Sequence, residues 1–231
     1  GYHLCRQCPI NKINRRSIAT WYYIQDEKKT WSLQLILKDI DLKTNWIKSG
    51  KGSFIYFETI DSTLNIALNQ QYQESSIGKI VITDNQTSGK GSYNKSWYSE
   101  PYKDLTFSII LGSSNNFQQS LVDETCTAIV RILNGYQVEA YQKPPNDIYV
   151  KDRKIAGILL SNVQIGNSEN YQALSVGINI NSNIELKELD INAKANHTSF
   201  AKELGKEINR EKVLVEIIEL IDKTIQKQVD Q

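Results

Sequence analysis

The sequence is poor in several features that define whole classes of proteins. Its 231 residues contain three cysteines, four prolines and no methionine, and the formal net charge at pH 7 is only +1. So few cysteines exclude a disulfide framework, and a balanced charge gives no argument for a nucleic-acid-binding protein. No apolar run reaches the ~20 residues that a membrane-spanning helix needs, and no secretory signal is visible at the N-terminus. We therefore expect a cytoplasmic protein with no membrane or nucleic-acid partner.

Residues 1–52 differ in pattern from the rest of the chain. Basic residues and tryptophans are scattered through them without a clear period, and residues 49–53 (SGKGS) are typical of a boundary. Because methionine is absent, we expect either a fragment or a reading frame that includes material upstream of the true start. This segment is interpreted as an atypical N-terminal extension, non-native or poorly structured. Cys5 and Cys8 have zinc-motif spacing, but no second pair completes a site, and chance is favoured over metal binding.

The remaining residues, 53–231, contain many short apolar segments and few helical ones. Strands are predicted at Phe54–Phe57, Lys79–Thr83, Leu105–Leu111, Val138–Tyr141, Ile148–Val150, Ile155–Leu160 and Tyr171–Ile180. Helices are predicted at Asn116–Asn134, with Cys126 as a buried thiol, and at Asn209–Gln226, with Asn209 as the N-cap. This order favours an α+β or mixed α/β domain with a central sheet over a doubly wound parallel fold.

A long polar loop, Thr83–Trp97, separates two of these strands. Its sequence, TDNQTSGKGSYNKSW, holds two closely spaced glycines, two lysines and a terminal tryptophan. Glycines let a backbone approach a ligand, lysines attract anions, and an indole offers a stacking face. The loop therefore predicts an anion-binding site. Neither G-x-x-x-x-G-K-[ST] nor G-x-G-x-x-G occurs in the chain, so the common nucleotide fingerprints are absent.

Four stretches, in this order, resemble motifs of the catalytic domain of biotin protein ligases. Asp61-Ser62-Thr63 resembles the family's D-S-T-N, and residues 86–91 (QTSGKG) with Trp97 resemble Q-x-x-G-R-G followed by a tryptophan. Residues 143–147 (KPPND) and 153–159 (RKIAGIL) resemble K-W-P-N-D and R-K-x-x-G-I-L, and residues 175–179 (SVGIN) resemble G-x-G-x-N. The resemblance covers about residues 54–228, so residues 53–231 are interpreted as the catalytic domain.

The resemblance implies a mixed sheet flanked by helices, related to class II aminoacyl-tRNA synthetases and lipoate ligases. It implies an ATP-dependent biotin–[acetyl-CoA-carboxylase] ligase that forms biotinyl-5′-AMP and pyrophosphate from biotin and ATP with Mg²⁺. Biotin would then pass to one lysine of a biotin carboxyl carrier protein domain of a biotin-dependent carboxylase. No DNA-binding domain is recognised before the catalytic part, and the small C-terminal β-domain of many members is not found. Whether the chain forms a homodimer stays open.

Residue roles follow from the same resemblance, position by position. Lys154 and Lys90 are the implied catalytic cations, which bring the biotin carboxylate and the ATP phosphate together. Biotin binding is implied for Ser62, Thr63, Leu64, Gln86, Gly89, Lys90, Gly91, Lys154 and Gly157. Binding of ATP or the adenylate is implied for Lys90, Gly91, Ser92, Trp97, Asn146, Lys154 and Asn179. Asp147 is the implied ligand of Mg²⁺.

Several positions depart from the family pattern. Lys90 stands where arginine is usual, which keeps the charge but loses planar bidentate contacts. Ser92 stands where many members have a second arginine, Asn94 replaces a glycine and is predicted in a left-handed turn, and Ser175 replaces the first glycine of G-x-G-x-N. Two alternatives therefore stay open beside biotin ligation. One is a lipoate or octanoate ligase of the same fold, and the other is a catalytically degenerate biotin-binding module.

Overall fold

The computed structural model describes residues 34–50, 52–69, 76–113, 116–165, 169–183 and 197–230, and the statements that follow refer to these parts of the chain. The predicted C-x-x-C pair, Cys5 and Cys8, lies outside the described residues. The same is true of residues 1–33 of the predicted extension.

A mixed β-sheet forms the centre of the described residues. Its strands are β1 (Phe54–Ile60), β2 (Ile80–Gln86), β3 (Leu105–Gly112), β4 (Ala140–Lys143), β5 (Asp147–Val150), β6 (Arg153–Ile165) and β7 (Glu169–Ile178). They lie in the order β1-β2-β3-β7-β6-β5-β4; β1 and β2 are parallel, and all other neighbours are antiparallel. The helices are α1 (Thr63–Ala67), α2 (Gln119–Gly135), α3 (Phe200–Leu204) and α4 (Arg210–Val229). The predicted fold class, a mixed sheet flanked by helices, is confirmed.

Several element boundaries differ from the sequence predictions by a few residues. Helix α2 begins at Gln119, three residues after the predicted start, and β6 continues to Ile165, well beyond the predicted end at Leu160. The extra length of β6 pairs with β7 in a long hairpin. The prolines of the KPPND stretch do not interrupt the ladder, because they stand in the turn, and Lys143 pairs with Asp147 on either side of them.

One face of the sheet is covered by α2 and α4. Alternate residues of the central strands point into this core, including Ile82, Phe107 and Leu174, and all are fully buried. Helix α4 contributes the apolar stripe that its period of 3.6 residues predicted, with Leu214, Ile217, Ile218, Ile221 and Ile225 buried. The predicted N-cap is found, since the Asn209 side chain accepts the backbone N–H of Lys212 at 2.7 Å.

Residues 34–50 pack against this domain through buried acidic side chains. The backbone N–H groups of Asn45, Trp46 and Ile47 donate to the carboxylate of Asp222 on α4, at 2.8, 2.9 and 2.7 Å. Ile47 is 1% exposed and belongs to the main core. This part of the predicted extension therefore packs with the domain that follows it.

Asp84 joins the same segment to both β1 and α4. Its carboxylate accepts the backbone N–H of Leu35 at 3.1 Å and the hydroxyl of Tyr56 at 2.7 Å, and it pairs with the Arg210 guanidinium at 2.9 Å. Burial and the neighbouring carboxylate raise the pKa of Tyr56 well above its ordinary value. Because Asp84 is paired and hydrogen-bonded, its charge can remain inside the core.

Candidate active site

The face of the sheet opposite α2 and α4 carries polar and small residues at its centre. The strand register places Asp147, Gly157, Gly177 and Thr106 side by side across β5, β6, β7 and β3. The adjacent row, two residues along each strand, holds Leu159, Ser175 and Ser108. Side chains of one row lie about 7 Å from those of the next on the same face of a sheet. We call this surface the polar face.

A β-bulge turns Lys154 onto the polar face. The pairing of β5 with β6 shifts between Ile148 and Tyr149, so that Ile155 is the extra residue. Ile155 and Ala156 are both buried in the core, and strict alternation is therefore broken just after Lys154. Without this bulge, Lys154 and Gly157, three residues apart, would point to opposite faces. The predicted catalytic lysine and the predicted biotin-binding glycine thus share one surface.

Lys154 is held in place by two neighbours on that surface. Its Nζ atom lies 2.5 Å from Oδ1 of Asp147, and the side chain is only 19% exposed. The same atom lies 5.4 Å from the centroid of the Trp97 ring. The arrangement gives a desolvated, oriented cation beside a carboxylate.

Trp97 covers the two glycines of the central row. A Cβ atom built on Gly177 would lie 2.6 Å from Cζ2 of Trp97 and 2.7 Å from its Nε1, closer than real atoms approach. A Cβ on Gly157 would lie 3.2 Å from Cζ3 of the same ring. Glycine is therefore required at residue 177 for this position of the indole. The buried Nε1–H of Trp97 has no hydrogen-bond partner among the described residues, so a ligand acceptor could use it.

The predicted anion-binding loop is closed into a narrow hairpin between Gly89 and Trp97. Backbone hydrogen bonds join Trp97 N to Gly89 O at 2.9 Å and Gly91 N to Lys95 O at 2.7 Å. Lys90 is exposed at the surface of this hairpin, and none of the described contacts joins it to Lys154. The left-handed residue of the loop is Tyr93, with φ of 55°, and not Asn94 as predicted.

Asn146 connects this loop to the β5–β6 hairpin. Its Nδ2 atom donates to Oγ of Ser92 at 2.8 Å and to the carbonyl of Ile158 at 2.6 Å. Asn146 and Ser92, both predicted to bind the adenylate, therefore bond to each other here. This one side chain therefore joins the hairpin loop to the β5–β6 hairpin.

The predicted biotin-binding residues around α1 form a hydrogen-bonded group beside the hairpin loop. Oε1 of Gln86 accepts the backbone N–H of Thr63 at 2.8 Å and its hydroxyl at 3.1 Å. The hydroxyl of Ser62 is buried and has no partner among the described residues, which marks it as a donor or acceptor for a ligand. Leu64, by contrast, packs in a small apolar cluster with Val81. Thr63, Gln86 and Ser62 are thus grouped, and Leu64 supports them from the apolar side.

Asn179 and the backbone of Lys154 meet the start of α3. The side-chain amide of Asn179 donates to the carbonyl of Thr198 at 3.0 Å, and the N–H of Thr198 donates to the carbonyl of Lys154, also at 3.0 Å. Oδ1 of Asn179 is buried without a partner among the described residues and could accept a hydrogen bond from a ligand. An ion pair of 2.8 Å between Arg153 and Glu203 braces the same corner.

Asp104 fixes the chain that follows Asn179 and was not found by sequence reasoning. Its carboxylate accepts the backbone N–H groups of Ile180 at 2.8 Å, Ser182 at 3.3 Å and Glu100 at 2.9 Å. Burial raises the pKa of Asp104 from its ordinary value of 3.8 to about 6. A lone aspartate before a strand gives no sequence signal for such a role, because two of its three partners, Ile180 and Ser182, lie 76 and 78 residues along the chain.

Two further observations limit the chemistry of the described residues. Cys126 is a buried free thiol in α2, as predicted, and burial raises its pKa to about 12, so it is no nucleophile at neutral pH. No cluster of three or more acidic, histidine or cysteine residues suited to a metal ion occurs in the described parts.

A cavity of about 190 Å³ lies beside Phe117, Leu160 and Gln172, and none of the predicted site residues lines it. Trp97 and the hairpin loop fill the space above the central glycines instead.

The fold is an α+β domain with a mixed seven-stranded sheet, and it is similar to solved biotin protein ligase structures. The structure is similar to the biotin protein ligase from Aquifex aeolicus in complex with biotin and ATP, with a TM-score of 0.59 and 24% identity, covering 75% of this chain and 70% of that one. The model of the biotin/lipoate A/B protein ligase family matches residues 56–181, more than half of the chain. The chain belongs to this family, which confirms the resemblance found in its motifs.

Two curated relatives are similar over much of the sequence. The bifunctional ligase/repressor BirA of Bacillus subtilis is 27% identical over 224 residues, which cover 89% of this chain and 68% of the relative. The human biotin–protein ligase is 28% identical over 187 residues, 76% of this chain and 25% of the human protein.

Each helix in the described parts is too short or too polar to cross a bilayer.

Proposed function

We propose that this domain activates biotin with ATP and transfers it to a lysine of a biotin carboxyl carrier protein domain. The proposal rests on one observation: Lys154, the glycine pair under Trp97 and the Thr63–Gln86 group, which Ser108 joins to the sheet, belong to the same polar face. A cation for two anionic substrates and hydrogen-bonding groups for a polar ring are thereby available together. The proposed location is the cytoplasm, because the reaction consumes ATP.

In the first step, an oxygen of the biotin carboxylate attacks the α-phosphorus of ATP. The bond from that phosphorus to the oxygen bridging to the β-phosphate breaks, and pyrophosphate leaves with the electron pair. Lys154 would lie between the two anions and stabilise the charge that develops on the phosphoryl oxygens. Lys90, exposed on the hairpin loop, would add a second positive charge near the phosphates.

Mg²⁺ would accompany ATP and neutralise charge on its phosphates. Asp147, whose Oδ1 pairs with Lys154, would be the protein carboxylate that holds this ion, and the ion would lower the negative charge of the phosphates. A dedicated cluster of carboxylates is not needed, since Mg²⁺ is usually held by one or two carboxylates together with substrate phosphates.

In the second step, the neutral amine of the carrier lysine attacks the acyl carbon of biotinyl-5′-AMP. AMP leaves with the electron pair of the mixed anhydride, the amine loses one proton, and an amide bond remains. The anhydride must be kept from water until the carrier arrives. Trp97 and the closed hairpin loop are suited to this, because they cover the polar face.

Biotin-dependent exchange of labelled pyrophosphate into ATP tests the proposal directly. The assay is run with biotin, with lipoate and without an acid, since the family also includes lipoate ligases. We expect exchange with biotin, and at least tenfold less with lipoate. Exchange with lipoate alone would make the domain a lipoate ligase. Absence of exchange from folded protein that binds biotin in calorimetry would make it a binding module that has lost catalysis.

A further inference from the structure

Three hydrogen-bonded hydroxyl groups connect β7, β3 and α1 to the side-chain amide of Gln86 at the end of β2. Oγ of Ser175 lies 2.7 Å from Oγ of Ser108, which in turn lies 2.9 Å from Oγ1 of Thr63. The Thr63 hydroxyl then reaches Oε1 of Gln86 at 3.1 Å. Ser108 is fully buried. Neither Ser108 nor Ser175 belongs to the residues to which the family motifs assign a role.

The direction of every hydrogen bond in this chain follows from one backbone group. The N–H of Thr63 points at Oε1 of Gln86 at 2.8 Å, so the oxygen of that amide, and not its NH₂ group, faces Thr63. The hydroxyl of Thr63 must then donate to the same oxygen. Its single proton is used, so it accepts from Ser108, and Ser108 must accept from Ser175. The order of donation is therefore Ser175, Ser108, Thr63 and Gln86.

This order leaves defined groups for a ligand. Thr63 has one lone pair left and no proton to give, so toward a ligand it can act only as an acceptor. Gln86 keeps both protons of its NH₂ group, and the buried hydroxyl of Ser62 has no partner among the described residues. The group thus offers one acceptor flanked by donors.

We propose that Ser108 and Ser175 are positioning residues: they orient the hydroxyl of Thr63, which its donation to Gln86 leaves as an obligate acceptor, and so favour a ligand ring that carries an N–H group. The inference rests on the proposed function. A cyclic urea such as that of biotin has N–H donors and a carbonyl acceptor, and it matches this pattern. The dithiolane ring of lipoate has no N–H, so the remaining lone pair of Thr63 would be left unpaired by it, which costs binding free energy.

The experiment is a double-substitution cycle read by calorimetry with biotin and lipoate. Ser108→Ala should weaken biotin binding about tenfold, while KM for ATP and kcat at saturating biotin stay unchanged. Thr63→Val removes the acceptor itself. In the Thr63→Val background, Ser108→Ala should change biotin affinity less than about twofold, because Ser108 acts only through Thr63. Lipoate affinity should be the same with and without Ser108→Ala.

A matched control is Ser53→Ala, which removes another buried serine hydroxyl. The hydroxyl of Ser53 donates to the carbonyl of Gly50 at 2.5 Å and takes no part in the hydrogen bonds among Ser175, Ser108 and Thr63. This substitution should leave biotin affinity unchanged. The proposal would be overturned if Ser108→Ala still weakened biotin binding about tenfold in the Thr63→Val background. It would also be overturned if Ser108→Ala weakened lipoate binding as much as biotin binding.

The same cycle on thermal unfolding of the ligand-free protein separates this inference from the proposed function. A coupling between the two substitutions supports the hydroxyl chain even if the unsubstituted protein binds no biotin, an outcome that would overturn the proposed function. Strictly additive effects of the two substitutions on unfolding would contradict the hydrogen bond between Ser108 and Thr63.

Discussion

The two faces of the sheet are built from alternate residues of the same strands, yet they are stabilised in different ways. On β3, Phe107 points into the core against α2 and α4, and Ser108, its neighbour, points to the polar face. Both side chains are fully buried. The core face is held by apolar packing, whereas the polar face is held by a few directed contacts.

This difference separates stability from recognition within single strands. Apolar burial has no preferred direction, so most of the core face depends on filled volume and not on individual hydrogen bonds; the buried Asp84, paired with Arg210, is an exception. On the polar face, Lys154, Thr63 and Trp97 each depend on one or two specific neighbours. Substitutions there should change ligand binding more than folding, whereas substitutions on the core face should do the reverse.

The largest effect is expected for Phe107→Ala on the core face. Removal of a fully buried ring should lower the free energy of unfolding by about 3–5 kcal/mol. Ser108→Ala, one residue along, should lower it by no more than about 1.5 kcal/mol, the net contribution of one hydrogen bond. Denaturant unfolding of both variants checks this. Equal losses would contradict the division between the faces.

Asp104 should make stability depend on pH in the direction opposite to an ordinary surface carboxylate. Its pKa rises from 3.8 to about 6 in the folded protein, so the folded state binds a proton more readily than the unfolded one. The stability that this proton gives is present below pH 4 and is lost as pH rises through 6, by up to roughly 3 kcal/mol.

Asp104→Asn isolates that contribution. The free energy of unfolding of the unsubstituted protein minus that of the variant should fall between pH 4 and pH 6.5, measured by thermal or denaturant unfolding. A difference that rises over the same interval would show that the three backbone donors to Asp104 outweigh its burial.

Gly177→Ala should displace the Trp97 indole, because the new Cβ would overlap the ring. We expect a loss of about 1–3 kcal/mol in unfolding free energy, a red-shifted tryptophan emission and weaker biotin binding. Gly135→Ala is the matched control, since a Cβ there meets nothing within 4 Å. Unchanged emission in Gly177→Ala would mean that the indole does not rest on this glycine.

The smallest effect is expected at the exposed lysines of the loop. Lys90→Ala should reduce biotin-dependent exchange roughly tenfold, because one cation of the proposed transition-state environment is lost. Lys95→Ala, at another exposed loop lysine, should leave exchange unchanged, and Lys90→Arg should retain activity or raise it. If both alanine variants lose exchange equally, Lys90 has no specific role and contributes only to the overall positive charge of the loop.

Periodicity and local motifs were sufficient to predict much of this fold. The stripe on α4, the cap at Asn209 and the central strands follow from patterns within a few residues, which local physics determines. The grouping of Ser62, Thr63, Gln86 and Lys154 was expected from the resemblance. The roles assigned to these residues remain predictions.

Contacts between distant parts of the chain could not be predicted in the same way. The bulge at Ile155 shifts the alternation of side chains along β6, so that Lys154 and Gly157 lie on the same face of the sheet. No residue type in this stretch predicts the bulge. Ser108 looks like an interruption in an apolar strand until the register with Ser175 is known. The packing of residues 34–50 depends on Asp222, about 175 residues away, which leaves no local pattern.

Pyrophosphate exchange by Lys154→Ala, with unfolding measured in parallel, tests whether this lysine supplies the cation of the polar face. We expect biotin-dependent exchange to fall by about 10²–10³-fold, while the free energy of unfolding changes by less than about 1 kcal/mol. Lys206→Ala, at an exposed lysine after α3, should leave both unchanged. Near-normal exchange by Lys154→Ala would contradict the account, because the polar face would then lack the cation on which the proposed chemistry depends.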